Sequence, residues 1–328
     1  MLKVGVLGTA RITPGALLKP ARRTGRAEVV AVASRDPARA CKYAKKHKIP
    51  GVADSYEALL SDPEIQAIYN PLPNGWHGHW TIAALAAGKH VLCEKPFTAN
   101  ADEARQVAEA GAAHPGQVVM EAFHYEYHPM TRRLVEIVQS GALGTIREID
   151  ISFSAPNFRR DDIRYQLGLA GGAMMDMGCY PISLLRLLAA GPRVTEASAK
   201  LSSPGVDRAM DARFSLPEGG TARVRCSLLS SSLFRMRAVV VGTEGTLNVL
   251  NPFFPQYGHR VRIETASGTR REKFSRRATY DYQLEAFAAA VEDGAPFPTT
   301  AIDAIRTMEL IDATYVAAGL PIRQPSTR

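Results

Sequence analysis

Strand-like and helix-like segments alternate through the first 120 residues, and this alternation restricts the fold more than any other feature of the sequence. Short apolar runs have the length and composition of buried strands at residues 3–7, 28–33, 67–70, 91–93 and 117–120. Helical segments lie between several of them, at residues 55–60, 81–87 and 100–113. Strands that alternate with helices form a parallel sheet with helices on both faces. The first part of the chain is therefore predicted to be a doubly wound α/β domain.

The first predicted strand runs into a short turn that contains one glycine. Dinucleotide-binding turns have the pattern Gly-x-Gly-x-x-Gly, in which the second glycine lets the backbone approach the pyrophosphate. Here alanine stands at the second glycine position and Thr13 at the third. Because alanine is the smallest replacement and the helix N-terminus beyond the turn can still hold a phosphate, we interpret the turn as a dinucleotide site. The alternative is an ordinary tight turn. The candidate contacts are Gly8, Thr9, Ala10, Arg11 and Ile12.

The end of the second predicted strand bears on the choice between NAD and NADP. NAD sites usually have an acidic residue there, against the ribose 2′-hydroxyl, but this chain has Ser34 followed by Arg35. A hydroxyl and a guanidinium suit a 2′-phosphate, which arginine can bind through two parallel hydrogen bonds. Asp36 is the competing acid, but Asp36-Pro37 also has the pattern of a helix N-cap followed by proline. We therefore predict NADP, with NAD as the alternative.

The stretch from Gly88 to Pro96 places a lysine at the carboxyl end of a buried strand. Ligands of open α/β sheets bind beyond this edge, so Lys95 is a candidate cation in the pocket. A cis bond between Lys95 and Pro96 is permitted, because proline reduces the preference for trans to about 0.5–1 kcal/mol. The alternative is a surface lysine at a turn. Glu121, just past the next predicted strand, is a further candidate to face the cofactor.

The pattern changes near Ala122, where we place a domain boundary. Further strand candidates follow one another at residues 146–154, 196–201, 209–215, 221–229, 235–241, 246–250 and 261–265. Helices are predicted at residues 131–140, 282–292 and 300–318. Consecutive strands joined by turns predict an antiparallel sheet. We therefore predict a Rossmann domain over residues 1–122 and an α+β domain with an open, mostly antiparallel sheet over residues 123–328.

Four motifs in the same order resemble those of the Gfo/Idh/MocA family of nicotinamide-dependent oxidoreductases. They are the first turn from Gly5 to Ile12, Pro73-Asn74-Gly75-Trp76-His77, the stretch from Gly88 to Pro96, and the Gly-Gly-x-x-x-Asp-x-Gly run from Gly171 to Gly178. The motifs span essentially the whole chain. The resemblance implies that the residues after two of the strands lie against the cofactor. The implied contacts are Pro71, Leu72, Asn74, His77, Glu94, Lys95 and Pro96.

Two of these residues carry alternatives. His77 is expected to cap or pack the following helix, with catalysis as the other interpretation. Glu94 is expected to anchor its turn or to bind a ribose hydroxyl.

Asp176 and Tyr180 are the candidate catalytic residues of the second half. Their spacing of four places them on one helical face; the alternatives are an N-cap role for Asp176 and a packing role for Tyr180. The family often has histidine where this chain has Tyr180. With tyrosine at this position, the chain resembles the branch that includes glucose–fructose oxidoreductase, dihydrodiol dehydrogenase and sugar ketoreductases. The resemblance therefore implies a phenol as the acid–base group. A phenol has a reference pKa of ~10. It therefore needs a nearby cation such as Lys95 to exchange protons at neutral pH.

The mechanistic hypothesis joins these residues. Tyr180 exchanges a proton with the substrate oxygen while hydride moves between the nicotinamide and the substrate carbon, and Lys95 stabilises the developing alkoxide. Asp176 orients Lys95 or a substrate hydroxyl. The expected substrate is carbohydrate-like: the alcohol or carbonyl of a sugar, polyol or cyclic diol. The alternatives are a C=C or C=N reductase similar to biliverdin reductase, and a non-catalytic NADP(H)-binding sensor.

Residues 123–129 alternate aromatic and polar side chains. In an extended chain His124, Glu126 and His128 would share one face, and two imidazoles with a carboxylate could bind a metal. We predict no metal site. The interpretation that the family resemblance favours is a crossover that lines the active site.

Composition excludes other classes of protein. The net charge of +8 invites a nucleic-acid interpretation, but the basic residues are scattered, so we predict a solvated basic surface and no nucleic-acid partner. No apolar run reaches the ~18 residues of a membrane helix. The chain begins with a strand instead of a signal peptide, and the four cysteines lack paired spacing. We therefore predict a cytoplasmic protein without a membrane partner.

Two further expectations concern the second half. Arg159, Arg160 and Arg164 are predicted to be surface charges, with contact to a polar substrate as the alternative. The family resemblance implies a homo-oligomer, a dimer or tetramer formed through the open sheet face. The sequence does not identify the substrate.

Overall fold

The computed structural model describes residues 1–159, 161–229 and 234–327. The chain forms two compact units. The first comprises Met1–His124, Tyr280–Ile305 and Pro325–Arg328, and the second comprises Tyr125–Thr279 and Arg306–Gln324. The segment 280–305 therefore packs with the first unit, and the predicted domain division at residue 122 stays a prediction. The prediction for Arg160 lies outside the described residues.

A six-stranded parallel sheet forms the centre of the first unit. Its strands are β1 (Leu2–Leu7), β2 (Ala27–Ala33), β3 (Gly51–Ala53), β4 (Ala67–Asn70), β5 (His90–Cys93) and β6 (Val119–Glu121). They lie in the order β3-β2-β1-β4-β5-β6, and every pair is parallel. This is the Rossmann order, in which the direction of sheet growth reverses between β1 and β4. The predicted doubly wound sheet is confirmed, while β3 was not predicted.

The helices that connect these strands begin and end where the sequence provides local signals. They are α1 (Lys19–Thr24), α2 (Pro37–His47), α3 (Tyr56–Ser61), α4 (His77–Ala86) and α5 (Ala101–Ala113). The side chains of Asp36, Ser55 and Asn100 accept hydrogen bonds from the backbone N–H three residues later, as N-caps do. Gly88 has a φ of +76° and ends α4, so a glycine is needed there.

The second unit is built on an eight-stranded sheet. Its strands are β7 (Ile146–Ser154), β8 (Arg193–Ser203), β9 (Val206–Ser215), β10 (Thr221–Ser227), β11 (Arg235–Gly242), β12 (Gly245–Leu250), β13 (Arg260–Thr265) and β14 (Gly268–Glu272). The order is β14-β13-β12-β11-β7-β10-β9-β8. The pair β7–β10 is parallel and the other pairs are antiparallel. The predicted mostly antiparallel sheet is confirmed; β14 was not predicted.

The remaining helices are α6 (Pro129–Gln139), α7 (Cys179–Leu188), α8 (Thr279–Asp293) and α9 (Ala301–Ala317). Helix α7 packs against β7 and β10. Alternate residues of β7, including Ile149, Ile151 and Phe153, are buried, and burying such a side chain contributes about 1.5–3 kcal/mol. The buried apolar side chains of β7 therefore determine the face of the sheet on which α7 packs. Within the described residues, each helix falls short of the length and apolar character that a bilayer crossing requires.

Candidate active site

The candidate cofactor residues of the first unit lie at one edge of the parallel sheet. Gly8 follows β1, Ser34 follows β2, Pro71 follows β4 and Glu94 follows β5. In a parallel sheet the carboxyl ends of all strands meet at the same edge. Residues far apart in the chain are thus brought to the edge where open α/β sheets bind ligands.

The turn after β1 requires a glycine at its first position. Gly8 has a φ of +77°, and a Cβ atom built on it would lie 3.0 Å from Leu72 Cδ2. Thr9 is buried, Ala10 is half-buried, and Arg11 and Ile12 are exposed. A π-helix, Pro14–Leu18, begins directly after the turn, and such turns are frequent at functional sites. These features fit the phosphates of a dinucleotide, with Ala10 in place of the usual second glycine.

The loop after β2 and the first turn of α2 expose two guanidinium groups, those of Arg35 and Arg39. Arg35 is exposed, and Asp36 is occupied as the N-cap of α2, because its Oδ1 accepts a hydrogen bond of 3.1 Å from the backbone N–H of Arg39. The charges of Arg35 and Arg39 both act to lower the pKa of Tyr56, although burial raises it overall. Neither guanidinium forms an ion pair with a carboxylate in the described part of the chain. Two available cations and an occupied acid suit a 2′-phosphate.

The Glu94-Lys95-Pro96 turn is held by buried hydrogen bonds. The Tyr69 hydroxyl donates to Glu94 Oε1 at 2.6 Å, and the backbone N–H of Lys95 donates to Glu94 Oε2 at 3.3 Å. The Lys95–Pro96 peptide is cis, as the sequence permits. Lys95 itself is half-buried. The Glu94 contacts are those of a turn anchor.

His77 lies between two of the candidate loops. Its Nδ1 is 2.7 Å from the carbonyl oxygen of Pro96, and its Nε2 is 2.7 Å from that of Leu72. Burial lowers the pKa of His77 to about 4. A ring that contacts one backbone carbonyl with each nitrogen holds the loops after β4 and β5, in keeping with the packing interpretation. Pro71 in the same loop is buried, whereas Asn74 is half-buried and begins the 3₁₀-helix Asn74–Trp76.

Glu121 and His124 continue this edge of the first unit. Glu121 is 1% exposed, and its backbone carbonyl accepts a hydrogen bond of 2.7 Å from Thr299 Oγ1. The ring of His124 packs on that of Tyr280, with centroids 4.1 Å apart. Burial, and secondarily the charge of Lys95, lowers the pKa of His124 to about 3. After burial, the charge of Lys95 thus also acts to lower the pKa of both His77 and His124, which belong to the same unit.

The extended conformation that would put His124, Glu126 and His128 on one face does not form. Residues His124–Tyr127 form a 3₁₀-helix, so the three side chains do not share a strand face. Glu126 accepts a short hydrogen bond from Ser183, and His128 Nδ1 caps α6 by accepting from Met130 N–H at 3.1 Å. Across residues 1–159, 161–229 and 234–327, no group of three His, Cys, Asp or Glu side chains is arranged to hold a metal ion.

In the second unit, a buried ion pair holds the start of the Gly171–Gly178 motif. Arg323 donates from Nη2 to Asp207 Oδ1 at 2.8 Å and from Nε to the carbonyl of Gly171 at 2.7 Å. Asp207 Oδ2 accepts from the backbone N–H of Met174 at 2.7 Å. Burial raises the pKa of Asp207, and the charge of Arg323 opposes that rise. The pair therefore clamps the backbone on both sides of Gly172.

The Gly171–Gly178 motif leads into a π-helix, Met174–Gly178, followed directly by α7. Asp176 is not an N-cap: the flanking cap residues are Ala173 and Gly178, and neither cap uses a side chain. Asp176 Oδ2 accepts a hydrogen bond of 2.6 Å from Arg164 Nε. The irregular turn separates Asp176 from the regular helix that carries Tyr180, a separation that α-helical spacing does not predict.

Aromatic rings surround Tyr180, which is 4% exposed. Its ring centroid lies 5.3 Å from that of Phe153, 5.4 Å from Phe253 and 6.0 Å from Phe254. Contact with Phe153 of β7 matches the packing interpretation and leaves a role for the hydroxyl open. An apolar wall of this kind suits the ring faces of a carbohydrate or diol.

Three candidates escaped the sequence analysis: Arg39, Asp207 and Arg323. A fourth, Arg164, was predicted to be a surface charge, with contact to a polar substrate as the alternative; it is half-buried and paired with Asp176. Arg39 had a local signal, because it lies in the first turn of the helix that begins directly after Arg35 and Asp36. Asp207 and Arg323 had none, since they are 116 positions apart in the chain.

Comparison with known proteins identifies the class to which this fold and these motifs belong. Residues 2–123 match the oxidoreductase family with an NAD-binding Rossmann fold, and residues 131–248 match the GFO/IDH/MocA C-terminal domain. The chain belongs to the GFO/IDH/MocA oxidoreductase family. The predicted family, enzyme class and nicotinamide cofactor are thereby confirmed.

Three relatives illustrate the range of the family. The chain is 39% identical over 322 residues, 96% of each chain, to D-xylose 1-dehydrogenase (NADP(+)) 2 of Haloferax volcanii. It is 34% identical to trans-1,2-dihydrobenzene-1,2-diol dehydrogenase of Sus scrofa, covering 69% of this chain and 67% of the relative. A 3-ketoreductase from Actinomadura kijaniata, solved in complex with NADP and TDP-benzene, has a TM-score of 0.87 at 29% identity, covering 96% of this chain and 97% of that one.

Proposed function

We propose that this protein is an NADP-preferring oxidoreductase that interconverts an alcohol and a carbonyl on a sugar, polyol or cyclic diol. The observation that carries the proposal is the strand edge of the first unit, where Gly8, Arg35 and Lys95 follow the ends of β1, β2 and β5. The relatives named above act on substrates of this class, and two of them are described with NADP. A bound nicotinamide would supply or accept the hydride.

The residues of the first unit would hold the cofactor by complementary chemistry. The backbone at Gly8 and Ala10 would receive the pyrophosphate, and the guanidinium groups of Arg35 and Arg39 would bind the 2′-phosphate. Glu94, fixed by Tyr69, would anchor the turn that presents Lys95. Arg35 and Arg39 are exposed and form no ion pair with a carboxylate among the residues that the structure describes, which favours NADP over NAD.

Tyr180 is the proposed proton carrier and Lys95 its electrostatic partner. A phenol exchanges a proton with the substrate oxygen, and an ammonium group stabilises both the developing alkoxide and the phenolate. General acid–base catalysis of this sort contributes roughly 10²–10⁴-fold. The ketoreductase from Actinomadura kijaniata has also been crystallised with a tyrosine changed to phenylalanine and with a lysine changed to alanine, the same two residue types.

Two further properties belong to the proposal. We infer a homo-oligomer formed through the open face of the eight-stranded sheet, as the family resemblance implies; most soluble oligomers are symmetric homo-oligomers. A cytoplasmic location fits three buried free thiols, those of Cys93, Cys179 and Cys226.

A substrate panel and one matched pair of variants test the function. The panel contains D-xylose and other aldoses, keto-sugars, trans-dihydrodiols and biliverdin, each assayed with NADP⁺ or NADPH by the absorbance change of the nicotinamide. We expect turnover with a sugar or diol. Turnover of biliverdin alone would favour a C=C or C=N reductase, and NADPH binding without any turnover would favour a sensor.

Tyr180→Phe should lower kcat about 10²–10⁴-fold with NADPH affinity unchanged. Tyr257→Phe, which removes a phenol from a residue that is 83% exposed, is the control. Equal turnover in the two variants would reject Tyr180 as the proton carrier.

A further inference from the structure

Three charged residues of the second unit form a half-buried cluster before and within the Gly171–Gly178 motif. Arg164 donates from Nε to Asp176 Oδ2 at 2.6 Å and from Nη1 to Asp162 Oδ1 at 2.9 Å. The side chain of Asp162 is 3% exposed, that of Asp176 15% and that of Arg164 38%. Charge-assisted hydrogen bonds of this length are roughly twice as strong as neutral ones. The guanidinium therefore has two fixed carboxylate partners.

The backbone that carries Arg164 is fixed against the motif itself. Asp162 caps the 3₁₀-helix Ile163–Tyr165 by accepting from the N–H of Arg164 at 3.2 Å. The chain then folds back so tightly that a Cβ atom on Gly171 would lie 2.7–2.8 Å from the carbonyl oxygens of Ile163, Arg164 and Gln166. Any larger residue at position 171 would displace Arg164. The glycine thus sets the distance between the guanidinium and the π-helix that bears Asp176.

We propose that Arg164 is a positioning residue that holds the Asp176 carboxylate ionised and in one orientation for the reaction. The proposal rests on the proposed function and on the role expected of Asp176 from the sequence, which is to orient Lys95 or a substrate hydroxyl, and it makes that role more specific. A carboxylate held in an ion pair accepts hydrogen bonds and does not supply a proton. Asp176 therefore acts by accepting a hydrogen bond from a substrate hydroxyl, which selects substrates with a hydroxyl beside the reacting carbon.

Arg164 is a cation in direct contact with Asp176, and other ionisable groups lie on the neighbouring elements of the same unit. Strand β10 contributes the Cys226 thiol, whose pKa is raised well above its usual value by burial first and by nearby carboxylates second. Strand β9 contributes Asp207, which is neutralised by Arg323. Cys179 of α7 donates its thiol to the backbone carbonyl of Asp176 at 3.6 Å. The charge of Asp176 is also the largest cause of the raised pKa of Arg164.

The test compares Arg164→Gln, Arg164→Lys and the control Arg159→Gln in the full-length protein, with the substrate found active in the panel. Arg159 is an exposed arginine five positions earlier in the same segment. We expect Arg164→Gln to lower kcat about 10- to 100-fold, as a misplaced reacting group does, with the Kd for NADPH unchanged. Loss of the cation eases protonation of Asp176, so the acidic limb of the kcat/KM profile should move up by about 1–2 pH units. Arg159→Gln should match the wild type in both measurements.

Two further measurements make the outcome decisive. Arg164→Lys should retain the acidic limb near its wild-type position, because it keeps the charge, and added ethylguanidinium should restore part of the activity of Arg164→Gln. If Arg164→Gln has the kcat and the kcat/KM pH profile of the wild type, the proposal is overturned. It is also overturned if Arg164→Gln and Arg164→Lys lose kcat equally and neither shows a change in the pH profile.

Asp176→Asn separates this proposal from the proposed function. If Asp176→Asn is fully active, the catalytic role of Asp176 fails and the positioning role fails with it. If Asp176→Asn is impaired, the double variant with Arg164→Gln should be no worse than Asp176→Asn alone. Additive losses would show that Arg164 acts by another route and would contradict the proposal.

Discussion

Arg323 and Asp207 form an ion pair of 2.8 Å in which neither side chain is exposed. Their shared neighbour is Gly172, with a φ of +140°, where a Cβ atom would lie 2.1 Å from Asp207 Oδ1. Tyr315 donates its hydroxyl to the same carboxylate at 3.0 Å, and the guanidinium lies 4.0 Å from its ring centroid. Burial and the adjacent carboxylate raise the pKa of Tyr315 well above its usual value. The pair thus fixes the backbone that leads to Asp176 and Tyr180.

Removing one member of this pair should be strongly destabilising. Arg323→Met leaves the Asp207 carboxylate buried without its cation, which costs about 3–5 kcal/mol in comparable sites. Urea unfolding measures the loss. Asp207→Asn combined with Arg323→Met should recover part of it, because no uncompensated charge remains.

The matched control is Arg213→Met, which breaks an exposed pair with Glu196 at 3.6 Å. Such pairs contribute about 0–1 kcal/mol. A similar loss for the two single variants would contradict the importance given to the buried pair.

Gly172→Ala should destabilise the protein and abolish most activity. The methyl group meets Asp207 and Tyr315 in a backbone conformation that L-residues rarely adopt, so we expect a loss of more than about 3 kcal/mol. Gly168→Ala is the control, since a Cβ there would have no described heavy atom within 4 Å. Thermal unfolding compares them, and equal midpoints would show that the site tolerates a side chain.

Arg35→Ala and Arg39→Ala should each weaken NADPH binding more than NADH binding. A charge-assisted hydrogen bond contributes about 1.5–3 kcal/mol, equivalent to about 10- to 100-fold in Kd for NADPH. Fluorescence titration with both nucleotides measures the change, and Arg22→Ala, an exposed arginine of α1, is the control. A parallel loss for NADPH and NADH would argue against 2′-phosphate recognition.

Stability without bound nucleotide should fall as the pH decreases from 7.5 to 5. His77 has a pKa lowered to about 4 by burial, against 6.5 in the unfolded chain. Above about pH 6.5 neither state is protonated; between about 6.5 and 4 only the unfolded state gains the proton, so stability is lost there. By linkage, the protonation of His77 in the unfolded chain lowers the free energy of unfolding at pH 5 by about 2 kcal/mol relative to pH 7.5.

Urea unfolding at pH 7.5 and pH 5 measures this dependence. His77→Asn should reduce the difference in unfolding free energy between the two pH values by about 2 kcal/mol. An unchanged pH dependence in His77→Asn would mean that its ring is already protonated in the fold.

Much of the first unit could be predicted from the sequence because its signals are local. The strands β1, β2, β4 and β5 are continuous apolar runs, and Asp36, Ser55 and Asn100 cap the helices with their own side chains. Strand β3 has three residues, none of them buried, so it lacked the apolar pattern by which strands are predicted. Strand β14 is largely exposed and was missed for the same reason.

The positions of the candidate site residues could be predicted in part, and their roles stay predictions. The sequence placed Gly8, Ser34 and Lys95 at or just after strand ends, where the structure has them, but α-helical spacing misjudged the turn between Asp176 and Tyr180, which is a π-helix. Alternation also misjudged residues 124–128, because the capping of α6 by His128 and the bond from Ser183 to Glu126 favour a 3₁₀ turn over a strand.

By itself, the sequence determined the order of strands and helices, the glycine turn and the lysine at the end of β5, since each is encoded by neighbouring residues. Only the tertiary structure decided which charges meet: Arg164 with Asp176, and Arg323 with Asp207. Such pairs leave no local pattern. They form because a buried charge must find its counter-charge wherever the packing of distant segments brings one.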